Sequence, residues 1–214
     1  MTKTIMNGTL VKNRLIFDFA SGSLGPAKSI FASTYLYLNS KAKSLNNTFE
    51  GILGDQLFSN ENSEIKKIKY SDCISNKPSK NSFNSNESSP ITKIVGPLNE
   101  LDWKQIYRGF KEFSLKIEDE DEIKLIKMDP GISVPIHSHA GKEYILVLDG
   151  SFCDEYGKYN KGDIQINDQK IKHTPIACEN EGCICLSITE KDAIFYGRYG
   201  SFLNLFTFIR SFFK

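Results

Sequence analysis

Apolar positions in the first 58 residues recur at helical spacing. Leu15, Ile16, Phe19 and Ala20 share one face, and SGSLGP at 21–26 reads as a breaker with Pro26 placed to open the next helix. Ile30, Phe31, Thr34, Tyr35 and Leu38 continue at i, i+3, i+4 spacing, and Phe49, Ile52, Leu53 and Leu57 supply a third stripe. Three amphipathic helices must bury these stripes against one another or against a partner. A bundle this small is marginal alone. Residues 59–95 are rich in Ser, Asn and Lys and short of aliphatics, which predicts a mostly flexible linker, with Ile65–Tyr70 as one short strand or helix inside it. From Pro97 the period shifts to two. Phe113–Ile117, Ile123–Met128, Tyr144–Leu148, Ile164–Ile166 and Cys183–Ile188 read as short strands between Gly, Asp, Asn or Pro turns, the pattern of an antiparallel sandwich or barrel. After Gly200 the polar residues Asn204, Thr207, Ser211 and Lys214 lie about one helical turn apart, predicting an amphipathic tail helix that covers an open side of the sandwich. The expected organisation is a helical block at 1–60, a linker at 61–96, a β domain at 97–192 and a tail helix at 193–214.

Composition narrows the function classes. The 214 residues are 40% hydrophobic and 25% charged, as in a globular protein. With 27 basic against 26 acidic side chains, the chain lacks the electrostatic footprint of a general nucleic-acid binder. Its arginines are Arg14, Arg108, Arg198 and Arg210, too few for bidentate anion recognition to be a theme. No export signal or bilayer-spanning apolar run is visible, and the five cysteines have no framework spacing. The expectation is a soluble, cytoplasmic protein with reduced thiols. Cys183 and Cys185 share a strand face, and Cys178 lies across a turn from Cys183. They serve either as small buried hydrophobes or as a redox pair.

The histidines are His137, His139 and His173. His137 and His139 at i and i+2 share a strand face, and Glu143, after the tight Ala140-Gly141-Lys142 connection, returns a carboxylate to the same spot. His173 follows Gly162-Asp-Ile-Gln-Ile-Asn by a short loop and can complete the set. Three imidazoles and a carboxylate suit one divalent ion, zinc first, with iron, manganese, nickel or copper also matched to these donors. The plainer reading makes them ordinary sheet or core histidines.

These residues carry a resemblance. Gly131, five residues, His137-x-His139, three residues, Glu143, six residues and Gly150 match the first cupin motif at every defined position. Of the second motif, Gly162 and His173 stand in place, while its Pro, Gly and Asn positions hold Asp168, Lys170 and Ala177. The stretch Leu146-Val-Leu-Asp-Gly-Ser-Phe-Cys-Asp154-Glu-Tyr-Gly157-Lys-Tyr159, His173-Thr-Pro175, Trp103 and the Gly200-x-x-Leu203-Asn204 tail are similar to the ChrR-type cupin anti-sigma factors. Asp18-Phe-Ala20-Ser-Gly22-Ser-Leu24 resembles the helix–turn signature of their sigma-binding domain. The resemblance implies an all-β cupin jelly roll, a double-stranded β-helix, preceded by a small α-helical domain. It also implies metal ligands at His137, His139, Glu143 and His173, and an extracytoplasmic-function sigma factor as partner. The family's N-terminal domain normally binds zinc through a His-x-x-x-Cys-x-x-Cys run and an earlier His. Here the matching run is Tyr35-Leu-Tyr-Leu-Asn39-Ser-Lys-Ala42, with no His before residue 137 and no Cys before residue 73. The bundle is therefore expected to fold without metal, with Tyr35 packed where a ligand would project.

Three functions stay open on this reading. In the first, a transcriptional regulator clamps a sigma factor through its helices and senses oxidative stress or a small-molecule ligand through a metal-bearing cupin, without direct nucleic-acid contact. In the second, a metal-dependent cupin enzyme of dioxygenase or isomerase type acts on a small molecule; no arginine lies between Gly109 and Gly197 to grip an anionic substrate, and no catalytic residue stands out. In the third, the metal only staples the sheet. The resemblance also allows a homodimer.

Overall fold

The computed structural model describes residues 2–58, 88–198, 200 and 204. The expected Ile65–Tyr70 element, Cys73 and nearly all of the tail lie outside these residues. Three helices come first: α1 (Thr2–Ala20), α2 (Pro26–Leu38) and α3 (Ser40–Phe58). Pro26 sits at the start of α2, where its missing N–H costs nothing. Residues 90–95, inside the stretch whose composition predicts linker, instead form a short helix, α4 (Pro90–Val95). Ser89 caps it by accepting from the Thr92 amide, Gly96 ends it at φ 84°, and Ile91 is fully buried.

Ten strands follow: β1 (Lys104–Tyr107), β2 (Phe110–Ser114), β3 (Glu122–Met128), β4 (His137–His139), β5 (Glu143–Asp154), β6 (Gly157–Asn160), β7 (Ile164–Asn167), β8 (Ile176–Ala177), β9 (Cys183–Thr189) and β10 (Ala193–Phe195). The main sheet runs β1-β2-β3-β9-β5-β6, all antiparallel, with β7 and β8 also paired to the long β5. Strand β4 pairs with β10, and bridges at His137–His173 and Ser133–Ile176 tie its other side to the segment before β9. Residues 193–195, expected to begin the tail helix, are thus a strand. The β-bulge between Val147 and Asp149 precedes Gly150, where the chains approach so closely that a Cβ would stand 2.2 Å from the Gly182 carbonyl oxygen.

The period-two pattern separates two cores. Phe110, Met128, Ile145, Val147, Phe152, Ala177, Cys183 and Cys185 fill the barrel interior. On the opposite face Ile123, Leu125, Tyr144, Leu146, Leu148, Ile164, Leu186 and Ile188 join Leu15, Ile16, Phe31, Tyr35, Leu36 and Phe49 in one continuous core. The apolar stripe of α2 is therefore covered by the sheet, with the rings of Phe31 and Tyr144 edge-on at 6.0 Å. Polar contacts complete the seat. Asp119, from the β2–β3 loop, accepts from the Ala27 amide at 2.7 Å and caps α2, which holds its carboxyl below the usual range. Asn39 caps α3 through the Ala42 amide and donates its Nδ2 to the Gly162 carbonyl at 3.3 Å. Gly162 itself lies at φ 84° against Leu38, a close approach that a side chain would strain. Tyr35 is buried in the shared core, and no described helix is long and apolar enough to cross a membrane.

Phe31→Ala should destabilise the protein by about 3–5 kcal/mol, because Phe31 is fully buried between helix and sheet. Far-UV circular dichroism and the fluorescence of the single Trp103 should move together in one denaturant transition; an earlier, separate loss of helix would refute a shared core.

Candidate metal centre

Strand alternation aims four side chains into the barrel. His137 and His139 occupy the two ends of the three-residue β4, Glu143 opens β5 one turn later, and the main-chain bridge between His137 and His173 brings the third imidazole alongside. All four residues are at most 5% exposed, and one donor atom from each lies within 4.8 Å of the others. His137 Nε2 is 3.1 Å from His173 Nε2, while Glu143 Oε2 is 3.2 Å from His139 Nε2 and 3.4 Å from His173 Nε2. Four tetrahedral donors about 2.1 Å from one centre stand about 3.4 Å apart, so these separations fit a shared zinc-sized ion.

The neighbouring groups decide which ring nitrogens face inward. His137 Nδ1 lies 2.9 Å from the Pro135 carbonyl, an acceptor, so Nδ1 carries the proton and Nε2 presents a lone pair. His173 Nδ1 lies 3.1 Å from the fully buried carboxylate of Asp154, which fixes that ring in the same way. Two inward lone pairs at 3.1 Å repel unless a cation lies between them, either a proton or a metal ion. Burial opposes charge on His173, but its hydrogen bonds to Asp154 and Glu143 outweigh that and raise its pKa to about 9. Burial dominates at His137, with Glu143 opposing and the other two imidazoles adding to the effect, and its pKa falls to about 4. Burial also works against the Glu143 carboxylate, yet the imidazoles of His139 and His173 hold it well below its ordinary value. Both ring nitrogens of His139 are buried without a well-aligned hydrogen bond. That orphaned imidazole, next to an ionised carboxylate, is what an ion would satisfy. The buried His/Glu group could hold a metal ion.

The sequence singled out the four converging residues but gave no role to those that orient them. Asp154 positions His173 and also accepts from Gln165 Nε2, and Asn167 donates to Glu143 Oε2 at 3.0 Å. Gln165 and Asn167 are polar residues at i and i+2 in an otherwise apolar strand, which is the signal that marks them. On the far side of β4, Asn204 brackets Phe195 of β10 by accepting from its N–H at 2.7 Å and donating to its carbonyl at 3.0 Å. Beside the four residues lies a mostly apolar cavity of about 170 Å³, lined among others by Phe110, Ile126, Met128, Phe152, Cys185 and Phe195. Lys124, the one lysine on its wall among the described residues, is 2.8 Å from Glu122. Cys183 and Cys185, both buried, have their sulfurs 3.9 Å apart, so the near neighbour of Cys183 is Cys185 rather than Cys178; the described thiols are free.

Comparison with known proteins agrees with this architecture. The family described as "ChrR Cupin-like domain" matches residues 92–191. Anti-sigma-E factor ChrR of Cereibacter sphaeroides is 28% identical over 201 residues, covering 90% of this chain and 92% of the relative. The crystal structure of Rhodobacter sphaeroides SigE in complex with the anti-sigma ChrR superposes with a TM-score of 0.67 at 28% identity, covering 83% of this chain and 96% of that one.

The histidines fix the pH response of the ion-free protein. His173 binds its proton more tightly when folded, so its contribution is complete below its ordinary value of 6.5 and fades as pH rises toward about 9. His137 resists protonation when folded, so its contribution is complete above 6.5 and fades as pH falls toward about 4. Melting temperatures of chelator-treated protein should peak near pH 6.5 and fall on both sides; a curve still climbing at pH 8 would contradict the assignment of His173.

Proposed function

Because residues 92–191 are a ChrR cupin-like domain, in a chain homologous to an anti-sigma factor along most of its length, we propose that this protein is an anti-sigma factor of the cupin type. Its N-terminal helices bind an extracytoplasmic-function sigma factor and keep it from RNA polymerase, and its cupin carries the sensor. The observation that carries this reading is that the similarity embraces the helical block as well as the barrel, both in sequence and in the superposition on the SigE complex. A sigma factor is released only when a signal changes its relative affinity for two states of the chain, so the sensor must alter the surface the helices offer.

In this proposal His137, His139, Glu143 and His173 hold one zinc ion, which supplies a Lewis-acidic centre at the end of the apolar cavity. Asp154 and the Pro135 carbonyl keep two imidazoles turned inward, and Asn167 holds the Glu143 carboxylate. Cys185 lines the cavity with the Cys183 sulfur 3.9 Å away, so an oxidant that enters would meet this thiol pair. Its hydrogen bond to Cys183, together with burial, raises the Cys185 thiol well above its ordinary value, so it stays protonated at neutral pH and reacts slowly until that packing is disturbed. The absence of arginine from the cavity wall among the described residues, and the pairing of Lys124 with Glu122, argue against a site built to grip an anionic substrate.

Purified full-length protein should contain about one zinc per chain by elemental analysis. His139→Ala should abolish that stoichiometry, and Asp154→Asn should weaken zinc binding about 10–100-fold while leaving the fold intact. Full-length chain should co-purify with an extracytoplasmic-function sigma factor of the same organism and release it on oxidant treatment. If zinc is bound but no sigma factor is retained, the regulatory reading fails and the barrel alone has to be explained.

A further inference from the structure

Helix α2 is fastened to the sheet by side chains that also grip the turn between two of the four converging residues. Lys28, in the first turn of α2, places its Nζ 3.0 Å from Asp121 and 3.0 Å from Glu190 Oε1, and 5.5 Å from the centre of the Tyr144 ring. Glu190 follows directly on β9. Its other carboxylate oxygen, Oε2, accepts from the Lys142 N–H at 3.0 Å, and its own N–H donates to the Lys142 carbonyl at 3.0 Å. Lys142 stands between His139 and Glu143. Gly141 beside it packs closely on Glu190, because a Cβ there would lie 2.9 Å from Glu190 Cβ. On the other side of Glu143, Tyr144 carries both Phe31 and Lys28 of α2. Glu143 is therefore flanked by two residues that each reach α2, one through Glu190 and one directly.

We infer that the Lys28–Glu190–Lys142 link couples ion capture at His137, His139, Glu143 and His173 to the seating of α2 on the cupin sheet. This inference rests on the metal reading proposed above and adds the route by which it reaches the helices. Loss of the ion frees the His139–Glu143 turn, Glu190 follows the turn through its paired hydrogen bonds, and Lys28 loses one of its two carboxylate partners. The link is not a lone exposed ion pair of small value. Lys28 is shared between two carboxylates, its side chain is 23% exposed, and it lies against an aromatic ring. The first 72 residues contain no histidine or cysteine, so the helical block draws its rigidity from packing, including this seat on the cupin. Coupling of this kind is reciprocal: if the ion strengthens the seat, the seat strengthens ion binding by the same factor.

The test uses the full-length chain and zinc itself. Zinc affinity is measured by chelator competition, and hydrogen exchange is followed in α2 with and without zinc. In the wild type, zinc should slow exchange across α2. Lys28→Met should weaken zinc binding about five- to tenfold and make α2 exchange alike in both states. Glu190→Gln should do the same, and serves if Lys28→Met does not fold. Arg14→Gln, which removes an exposed pair within α1, should change neither readout. Zinc binding that leaves wild-type α2 unchanged, or an unaltered affinity in the folded Lys28 or Glu190 variant, would overturn the coupling while sparing the metal site. A wild-type chain that takes up no zinc would overturn the metal reading and the coupling with it.

Discussion

Strands β5 and β9 present alternate side chains to two different cores, and their mutual register decides what each core contains. Tyr144 pairs with Ile188 and Leu146 with Leu186, all facing the helices, while Val147 pairs with Cys185 toward the interior. A slip of one residue in β5 would turn Glu143 outward, one in β9 would turn both buried thiols outward, and either would drive residues that pack on α2 into the barrel. Three features guard against it. The bulge after Val147 and the contact of Gly150 with Gly182 pin the pair toward its Gly150–Cys183 end. The exchange between Glu190 and Lys142 pins its other end.

Within the barrel the same register sets an electrostatic requirement. Two imidazoles whose outer nitrogens are committed to a carbonyl and a carboxylate cannot face each other at 3.1 Å without a shared cation. A proton meets that requirement for one pair of nitrogens: against burial, the hydrogen bonds to Asp154 and Glu143 raise the pKa of His173 to about 9, while burial lowers that of His137 to about 4. It does nothing for His139, whose ring nitrogens remain without aligned partners beside an ionised Glu143. A divalent ion meets the requirement for all four residues. The cost of burying this polar cluster without a cation is thus the physical argument that it could hold a metal ion.

The helical stripes show where pattern reading gives a half-answer. Their period requires burial but does not name the surface that buries them. Here the stripe of α2 meets the outer face of the sheet, and its N-terminus is capped by Asp119, 92 positions further along the chain. The resemblance anticipates a metal-free bundle from the substitutions at Tyr35, Asn39 and Ala42; the structure adds what those residues do instead. Tyr35 fills core, and Asn39 caps α3 while reaching the cupin at Gly162. Composition erred at residues 90–95, where a Ser-Pro cap and one buried isoleucine suffice for a short helix against α2. It erred again at 193–195, where pairing with β4 makes a strand of a segment assigned to the tail.

Local spacing determined the two-part architecture, most of the long strands and the four converging residues, because strand alternation and tight turns act over a few positions and are written directly in residue order. Tertiary structure alone decided the rest: that Asp154 orients His173 and Asn167 holds Glu143, that the Cys183 and Cys185 sulfurs lie 3.9 Å apart, and that Lys28 answers to Glu190. Those relations join residues that are far apart in sequence or depend on which way a side chain turns. Hydrogen-bond geometry and close packing fix such choices only after the sheet has assembled.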